Sequence, residues 1–169
     1  MVTALADIET DGFKPSKVHC MSILICETGK VYEFADQPGP YNRLADGYKL
    51  LEAADIVGGH NFMAFDRRVL NKLYGVEIDK DKVFDTLLAS RLMWPDLMDA
   101  DKAEGKLSGK LLGSHSLEAW GVRLGTLKGS YGKTTNWRQW SPQMSEYCSQ
   151  DVNVLAALYL HLLESVEAA

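Results

Sequence analysis

The 169-residue sequence predicts an α/β domain in which helices flank a mixed sheet. Three strand-like apolar runs come first, at residues 2–8, 18–26 and 31–34. A four-residue turn around Gly29 joins the last two runs, so the three runs predict an antiparallel meander. Helical and strand patterns then alternate, which indicates parallel strands added to the same sheet.

The remaining elements are predicted in chain order as helix 41–53, strand 56–59, helix 62–73, strand 83–84 and helix 86–92. Ser114 is predicted to cap a helix over residues 115–124, and Ser141 with Pro142 starts the final helix. No linker or internal repeat divides the chain, so residues 1–169 are expected to form a single domain.

The bulk composition limits the class of protein. With 46% hydrophobic and 24% charged residues, the chain is long and apolar enough for one globular core. Its three cysteines lie in apolar contexts, and there is no signal peptide and no long apolar run. These features predict a reducing, cytoplasmic compartment and no membrane role. Met1 stands six residues before Asp7, which favours a natural start, but a free-standing enzyme and an excised domain remain open.

Charge is spread unevenly along the chain. The net charge is -5, yet residues 102–138 contain seven Lys or Arg against two Glu, which gives this stretch +5 and the rest -10. The same stretch is rich in glycine and contains Tyr131, Trp137 and Trp140. Basic, flexible and aromatic residues together suit single-stranded nucleic acid, while a solvated loop with core aromatics explains them equally well.

Acidic residues stand at positions that are predicted to face the interior. Asp66 is the only charge on one face of its helical segment, and Asp151 is the only charge on one face of the final helix, one turn after Tyr147. Alternation along the first strand puts Asp7 and Glu9 on one side. Because an unpaired buried carboxylate is costly, these acids are expected to hold cations or to take up protons.

A metal site is the more economical of these two outcomes. Oxygen ligands suit hard cations such as Mg²⁺ or Mn²⁺, and the histidines and cysteines form no zinc-like cluster. Asp7, Glu9 and Asn61 also follow predicted strands, at the edge where open α/β sheets place their sites.

Each of these residues has a simpler structural role when it is taken alone. Asp7 and Glu9 could lead into a turn, Asp66 could cap a helix or pair with a neighbouring arginine, and Tyr147 could be a core residue bonded to Asp151. Taken together, their order and placement favour the catalytic interpretation.

Three segments in this order resemble the exonuclease motifs of the DEDD superfamily, which has a ribonuclease-H-like fold: Asp7-Ile8-Glu9-Thr10, Asn61-Phe62-Met63-Ala64-Phe65-Asp66 and Tyr147-Cys148-Ser149-Gln150-Asp151. The chain resembles the tyrosine subclass, because Glu146 stands where the histidine subclass has its base. Residues 84–92 and 113–125 are similar to the proofreading exonuclease domain of short-tailed bacteriophage family A DNA polymerases. The resemblance covers nearly the whole chain.

This resemblance implies a 3′-to-5′ exonuclease that releases nucleoside 5′-monophosphates by a two-metal mechanism. It implies that Asp7, Glu9, Asp66 and Asp151 hold two divalent cations, Mg²⁺ or Mn²⁺, with Asp7 shared by both. Tyr147 would orient the nucleophile. A tyrosine with a pKa near 10 is a poor base at neutral pH. The water must therefore be activated mostly by the metal ion, which lowers the pKa of the water that it binds.

The resemblance also implies substrate contacts. Thr10 would meet the terminal 3′ hydroxyl through its backbone, Asn61 would lie near the phosphates, and Phe13 would wedge between the last two bases unless it belongs to the core. Arg67 and Lys128 are candidate phosphate contacts, although exposed basic residues are usually only solvated. The expected partners are a single-stranded or frayed DNA 3′ end and a separate DNA polymerase subunit.

Two other classes of function compete with this one. A noncatalytic module that binds nucleic acid or a polymerase could keep the same fold, but it would be free to lose acidic ligands. A nucleotide-binding open sheet lacks the glycine-rich turn after its first strand. His60 and His115 are expected to satisfy local backbone groups, and Trp120 is expected in the core.

Overall fold

A computed structural model describes the whole chain, residues 1–169, and has the predicted α/β architecture. The five strands are β1 (Thr3–Thr10), β2 (Val18–Ile25), β3 (Lys30–Phe34), β4 (Ile56–Gly59) and β5 (Val83–Asp85). They form one sheet in the order β3-β2-β1-β4-β5. β1 pairs antiparallel with β2, and β2 with β3, whereas β4 is parallel to both β1 and β5. The predicted meander with added parallel strands is therefore confirmed.

Six helices surround the sheet: α1 (Leu44–Ala53), α2 (Asp66–Tyr74), α3 (Thr86–Met93), α4 (Met98–Glu104), α5 (Leu117–Leu124) and α6 (Pro142–Glu167). The final helix begins at Pro142, as predicted from the preceding serine. α4 was not predicted, because this short segment has no apolar repeat of helical period.

Three predicted helix starts were wrong. α1 begins at Leu44, because Asn42 still pairs with β3, its amide donating to the Glu33 carbonyl. α2 begins at Asp66, because Asn61 has a left-handed backbone (φ 59°) that starts a turn. The N-cap of α5 is Ser116, whose hydroxyl accepts a bond from the Ala119 amide at 3.2 Å.

Alternation along β1 separates two cores. Ala4, Ala6 and Ile8 pack in a cluster with α1 and α2, whereas Leu5 packs on the opposite face of the sheet with residues of α5 and α6. Leu5 is fully buried, and burying a leucine side chain completely contributes about 1.5–3 kcal/mol to the stability of the fold. Asp7 and Glu9 share the parity of Leu5, so the strand directs them toward α6, as expected.

None of the helices combines the length and the apolar character needed to cross a membrane. The three cysteines are unpaired, and two of them, Cys20 and Cys148, are buried. Trp120 is 2% exposed, which confirms that it belongs to the core.

Candidate active site

The fold brings the predicted acids to one cleft of about 230 Å³. Asp7 and Glu9 come from the carboxyl end of β1, Asp66 is the first residue of α2, and Tyr147 and Asp151 lie one turn apart on α6. The cleft is lined by eleven residues: Asp7, Ile8, Glu9, His60, Asn61, Phe65, Asp66, Lys128, Trp137, Tyr147 and Asp151.

Two of the predicted substrate contacts do not line this cleft. Thr10 is buried at the end of β1, and its hydroxyl donates to the Gly12 carbonyl at 3.0 Å. Phe13 is fully exposed, so the alternative that it belongs to the core is wrong. An aromatic ring in this position is available to a ligand.

Burial dominates the electrostatics of the acids. It is the main cause that raises the pKa values of Asp7, Glu9, Asp66 and Asp151. Like charges add to this, since the negative charge of Asp7 raises the pKa values of the other three acids. The cluster is therefore short of positive charge.

Lys128 is the one cation that lines the cleft. Its Nζ lies 3.1 Å from Oδ2 of Asp151, and the two side chains are 20% and 5% exposed. The imidazole of His60 does not add a second charge, because burial lowers the pKa of His60 to about 4. The Nδ1 atom of the ring lies 2.9 Å from the Thr86 hydroxyl. His115 likewise contacts a hydroxyl, that of Ser90.

Other cations of the basic stretch also have internal partners. Arg123 forms a buried pair with Asp101 at 2.8 Å, Lys133 contacts Glu118 at 2.9 Å, and Lys106 lies 3.7 Å from Glu104. Several of the charges that suggested a nucleic-acid surface are therefore paired within the chain, and the Arg123–Asp101 pair is the buried one among these three. Arg67 also has an internal partner, since its Nε donates to the Ile78 carbonyl at 2.7 Å. It lines a separate cleft that contains none of the four acids of the candidate site.

Tyr147 is held by its aromatic neighbours. The ring centroids of Tyr131 and Trp137 each lie 6.0 Å from that of Tyr147. Burial, and then the charge of Asp151, raises the pKa of Tyr147, so its hydroxyl keeps its proton at neutral pH. The structure shows no hydrogen bond from this hydroxyl to Asp151, and Tyr147 lines the cleft rather than the core.

Asp85 is a positioning residue that the sequence reasoning missed. Its carboxylate accepts bonds from the amides of Asn61 and Met63, both at 3.0 Å, and it also caps α3 through the Leu87 amide. The same carboxylate thus fixes the turn that leads to Asp66. Its position between a strand and a helix was a capping signal in the sequence.

Cys148 was also missed. Its thiol donates to the backbone carbonyl of Asp7 at 3.3 Å, which ties α6 to the end of β1 directly below the acids. No sequence signal identifies this contact, since Cys148 reads as an ordinary apolar residue of a helix.

The residues present fit a divalent cation. Oδ1 of Asp151 is buried without any hydrogen-bond partner. The other acids of the cleft offer carboxylate oxygens, which are the ligand atoms that hard divalent cations prefer. Ligand atoms of Asp7, Glu9 and Cys148 lie within 4.8 Å of one another. A cation would satisfy the orphan oxygen and offset the excess of buried negative charge.

Two solved structures share this architecture. An apo nuclease superposes with a TM-score of 0.68 at 21% identity over 98% of this chain and 73% of its own. The EXO domain of Nibbler from Aedes aegypti superposes with a TM-score of 0.68 at 11% identity over 98% of this chain and 79% of its own. The chain therefore has the ribonuclease-H-like fold that was predicted.

A comparison of sequences adds a more specific similarity to this likeness of fold. The chain is 33% identical over 94% of its length to the DNA-directed DNA polymerase of Enterobacteria phage T3. The predicted resemblance to the short-tailed phage DNA polymerases is thus confirmed as a sequence similarity. The match spans about a quarter of the polymerase, 26% of its length. No protein-family model matches the chain.

Proposed function

We propose that the chain is a metal-dependent 3′-to-5′ exodeoxyribonuclease of the tyrosine subclass. The observation that carries the proposal is the convergence of Asp7, Glu9, Asp66 and Asp151 with Tyr147 in one cleft. The relation to a DNA polymerase supports DNA as the substrate. A single-stranded or frayed 3′ end suits the small cleft, since a paired end would have to open first.

Asp7, Glu9, Asp66 and Asp151 would hold two divalent cations, Mg²⁺ or Mn²⁺. When bound, the ions lower the pKa of a water molecule and neutralise charge on the leaving 3′ oxygen. The chain's own contribution is orientation. Tyr147 keeps its proton, so its hydroxyl can donate to or align the attacking water, and Asn61 and Lys128 are near enough to the acids to meet a phosphate.

We further propose that Thr10 and Phe13 hold the terminal nucleotide, next to the cleft rather than within it. Phe13 is a fully exposed aromatic ring three residues beyond β1, suited to stacking on a base. The similarity to a phage DNA polymerase supports a role in proofreading. The proposed partner is a separate DNA polymerase subunit, and the proposed compartment is the cytoplasm of the host cell. Co-purification with a candidate polymerase tests this partner.

The decisive experiment is digestion of a 5′-labelled single-stranded DNA oligonucleotide with Mg²⁺, with Mn²⁺ and with EDTA. We expect a metal-dependent ladder that shortens from the 3′ end and yields nucleoside 5′-monophosphates. An RNA oligonucleotide of the same sequence tests the choice of sugar.

The variant Asp7→Ala/Glu9→Ala should abolish the ladder. The matched control Asp99→Ala/Glu104→Ala removes the same number of charges from exposed positions on α4 and should digest DNA normally. If the wild-type protein binds DNA but cleaves it under no metal condition, the noncatalytic binding module is the correct function.

A further inference from the structure

Lys128 makes the only ion pair formed by any of the four acids of the cleft. Asp7, Glu9 and Asp66 have no ionic partner, and Asp151 is paired through Oδ2 alone. The pair is largely buried, so water screens it weakly. Its electrostatic influence reaches beyond Asp151, since the lysine also lowers the pKa of Asp7 against the effect of burial.

The segment between α5 and α6 holds the lysine in this position. The Leu127 carbonyl, next to Lys128, accepts a bond at 2.6 Å from the side-chain amide of Gln150, the residue before Asp151. The ammonium group also lies 5.2 Å from the centre of the Tyr147 ring. Lys128 therefore contacts both functional side chains of α6.

A divalent cation and this ammonium group compete for the same carboxylate. Only Oδ1 of Asp151 is free, and a cation bound there would lie close to the largely buried Lys128 charge. The repulsion between the two cations would weaken metal binding unless the lysine moved away. Without a metal, the lysine supplies part of the charge that the acids lack.

We propose that Lys128 is a built-in counter-ion that balances the acid cluster in the metal-free protein and competes with divalent cations for Asp151. The lysine thereby raises the metal concentration at which the site fills. This inference rests on the metal site of the proposed function.

The test is titration with Mn²⁺, following the free ion by electron paramagnetic resonance at neutral pH. We expect Lys128→Met to bind Mn²⁺ about tenfold more tightly than the wild type, because it removes the competing charge with little change in shape. We also expect a lower melting temperature for Lys128→Met in EDTA, with recovery on adding Mn²⁺. Lys128→Arg keeps the charge and should bind Mn²⁺ like the wild type.

Lys133→Met is the matched control. It removes the same charge from the same segment, but Lys133 is exposed and pairs with Glu118 outside the cleft. Its Mn²⁺ affinity should be unchanged. If Lys128→Met binds Mn²⁺ no more tightly than the wild type, Lys128 is not a competitor and the inference is wrong, while the proposed function stands.

If the wild type binds no Mn²⁺, both the inference and the proposed metal site are wrong. Should Lys128→Met fail to fold in EDTA, it is to be purified with Mn²⁺ and its affinity measured by chelator competition. That measurement has the same two outcomes.

Discussion

The Asp85 carboxylate fixes the backbone of Asn61 by accepting a hydrogen bond from its amide nitrogen, 3.0 Å away. Asn61 is the only residue other than glycine with a positive φ, 59°, a conformation that is unfavourable for most side chains. Asp85 itself is 7% exposed and also caps α3. One buried carboxylate therefore sets both a helix start and the left-handed turn that leads to Asp66.

Asp85→Ala should lower the free energy of unfolding by about 2 kcal/mol, since it removes a helix cap and leaves the Asn61 and Met63 amides without their partner. Exonuclease turnover should fall about a hundredfold, because small displacements of a reacting group are costly. The measurements are urea unfolding and oligonucleotide digestion. The control Asp96→Ala removes an exposed capping contact to Met98 and should cost no more than about 1 kcal/mol, with normal turnover.

Gly132→Ala should reduce turnover by at least about tenfold with little loss of stability. A Cβ at this position would lie 2.9 Å from the Tyr147 hydroxyl and 3.2 Å from the Trp137 ring. Gly132 has no positive φ, so the backbone itself tolerates alanine. Steady-state digestion and a melting curve measure the two effects. Equal turnover for Gly132→Ala and the exposed neighbour Lys133→Ala would show that Tyr147 needs no fixed position.

The Asp101–Arg123 pair should make stability depend on acid pH. The hydrogen bonds from Arg123 are the main cause that lowers the pKa of Asp101, so the pair contributes fully above the unfolded pKa of about 3.9. The contribution is lost as the pH falls through the folded pKa, which lies below that value. Asp101→Asn should therefore cost about 3–5 kcal/mol at neutral pH, and the difference from the wild type should shrink at lower pH.

Urea unfolding at several pH values measures this difference. The control is Glu104→Gln, which removes a pair whose side chains are 56% and 68% exposed and should change little at any pH. A gap between wild type and Asp101→Asn that stays constant down to the most acid pH would contradict the prediction.

Cys148→Ala should lower the free energy of unfolding by about 1–2 kcal/mol, because it opens a void and removes the thiol bond to the Asp7 carbonyl. Cys148→Ser keeps a donor and should retain more of the stability. Cys26→Ala, at a half-buried position away from the acids, is the control and should cost less. Chemical denaturation of the three variants distinguishes a structural thiol from an inert one.

Periodicity was sufficient to predict most of the fold and the meeting of the acids. The alternation that separates Asp7 from Ile8 and the helical spacing that joins Tyr147 to Asp151 are local properties of the chain. Helix starts were less predictable. α1 and α2 begin late because of contacts formed by Asn42 and Asn61, and such contacts exist only in the folded sheet.

The supporting residues of the site could not be found by the same reasoning. Lys128 was named only as a candidate phosphate contact, and its glycine-rich segment without periodicity gives no sign that it pairs with Asp151. Cys148 resembles any apolar helix residue until α6 is packed against β1. These contacts depend on tertiary structure, whereas the positions of the acids follow from secondary structure.

The contact between Cys148 and Asp7 joins residues 141 positions apart in the chain. During synthesis β1 and α2 leave the ribosome long before α6. Asp7, Glu9 and Asp66 are therefore present before the helix that contributes Tyr147 and Asp151. Bringing together two positions so far apart in the chain costs loop-closure entropy, so this contact is expected to form late in folding. A nascent or truncated chain would therefore lack a complete site, and the proposed activity would first become possible only when α6 docks.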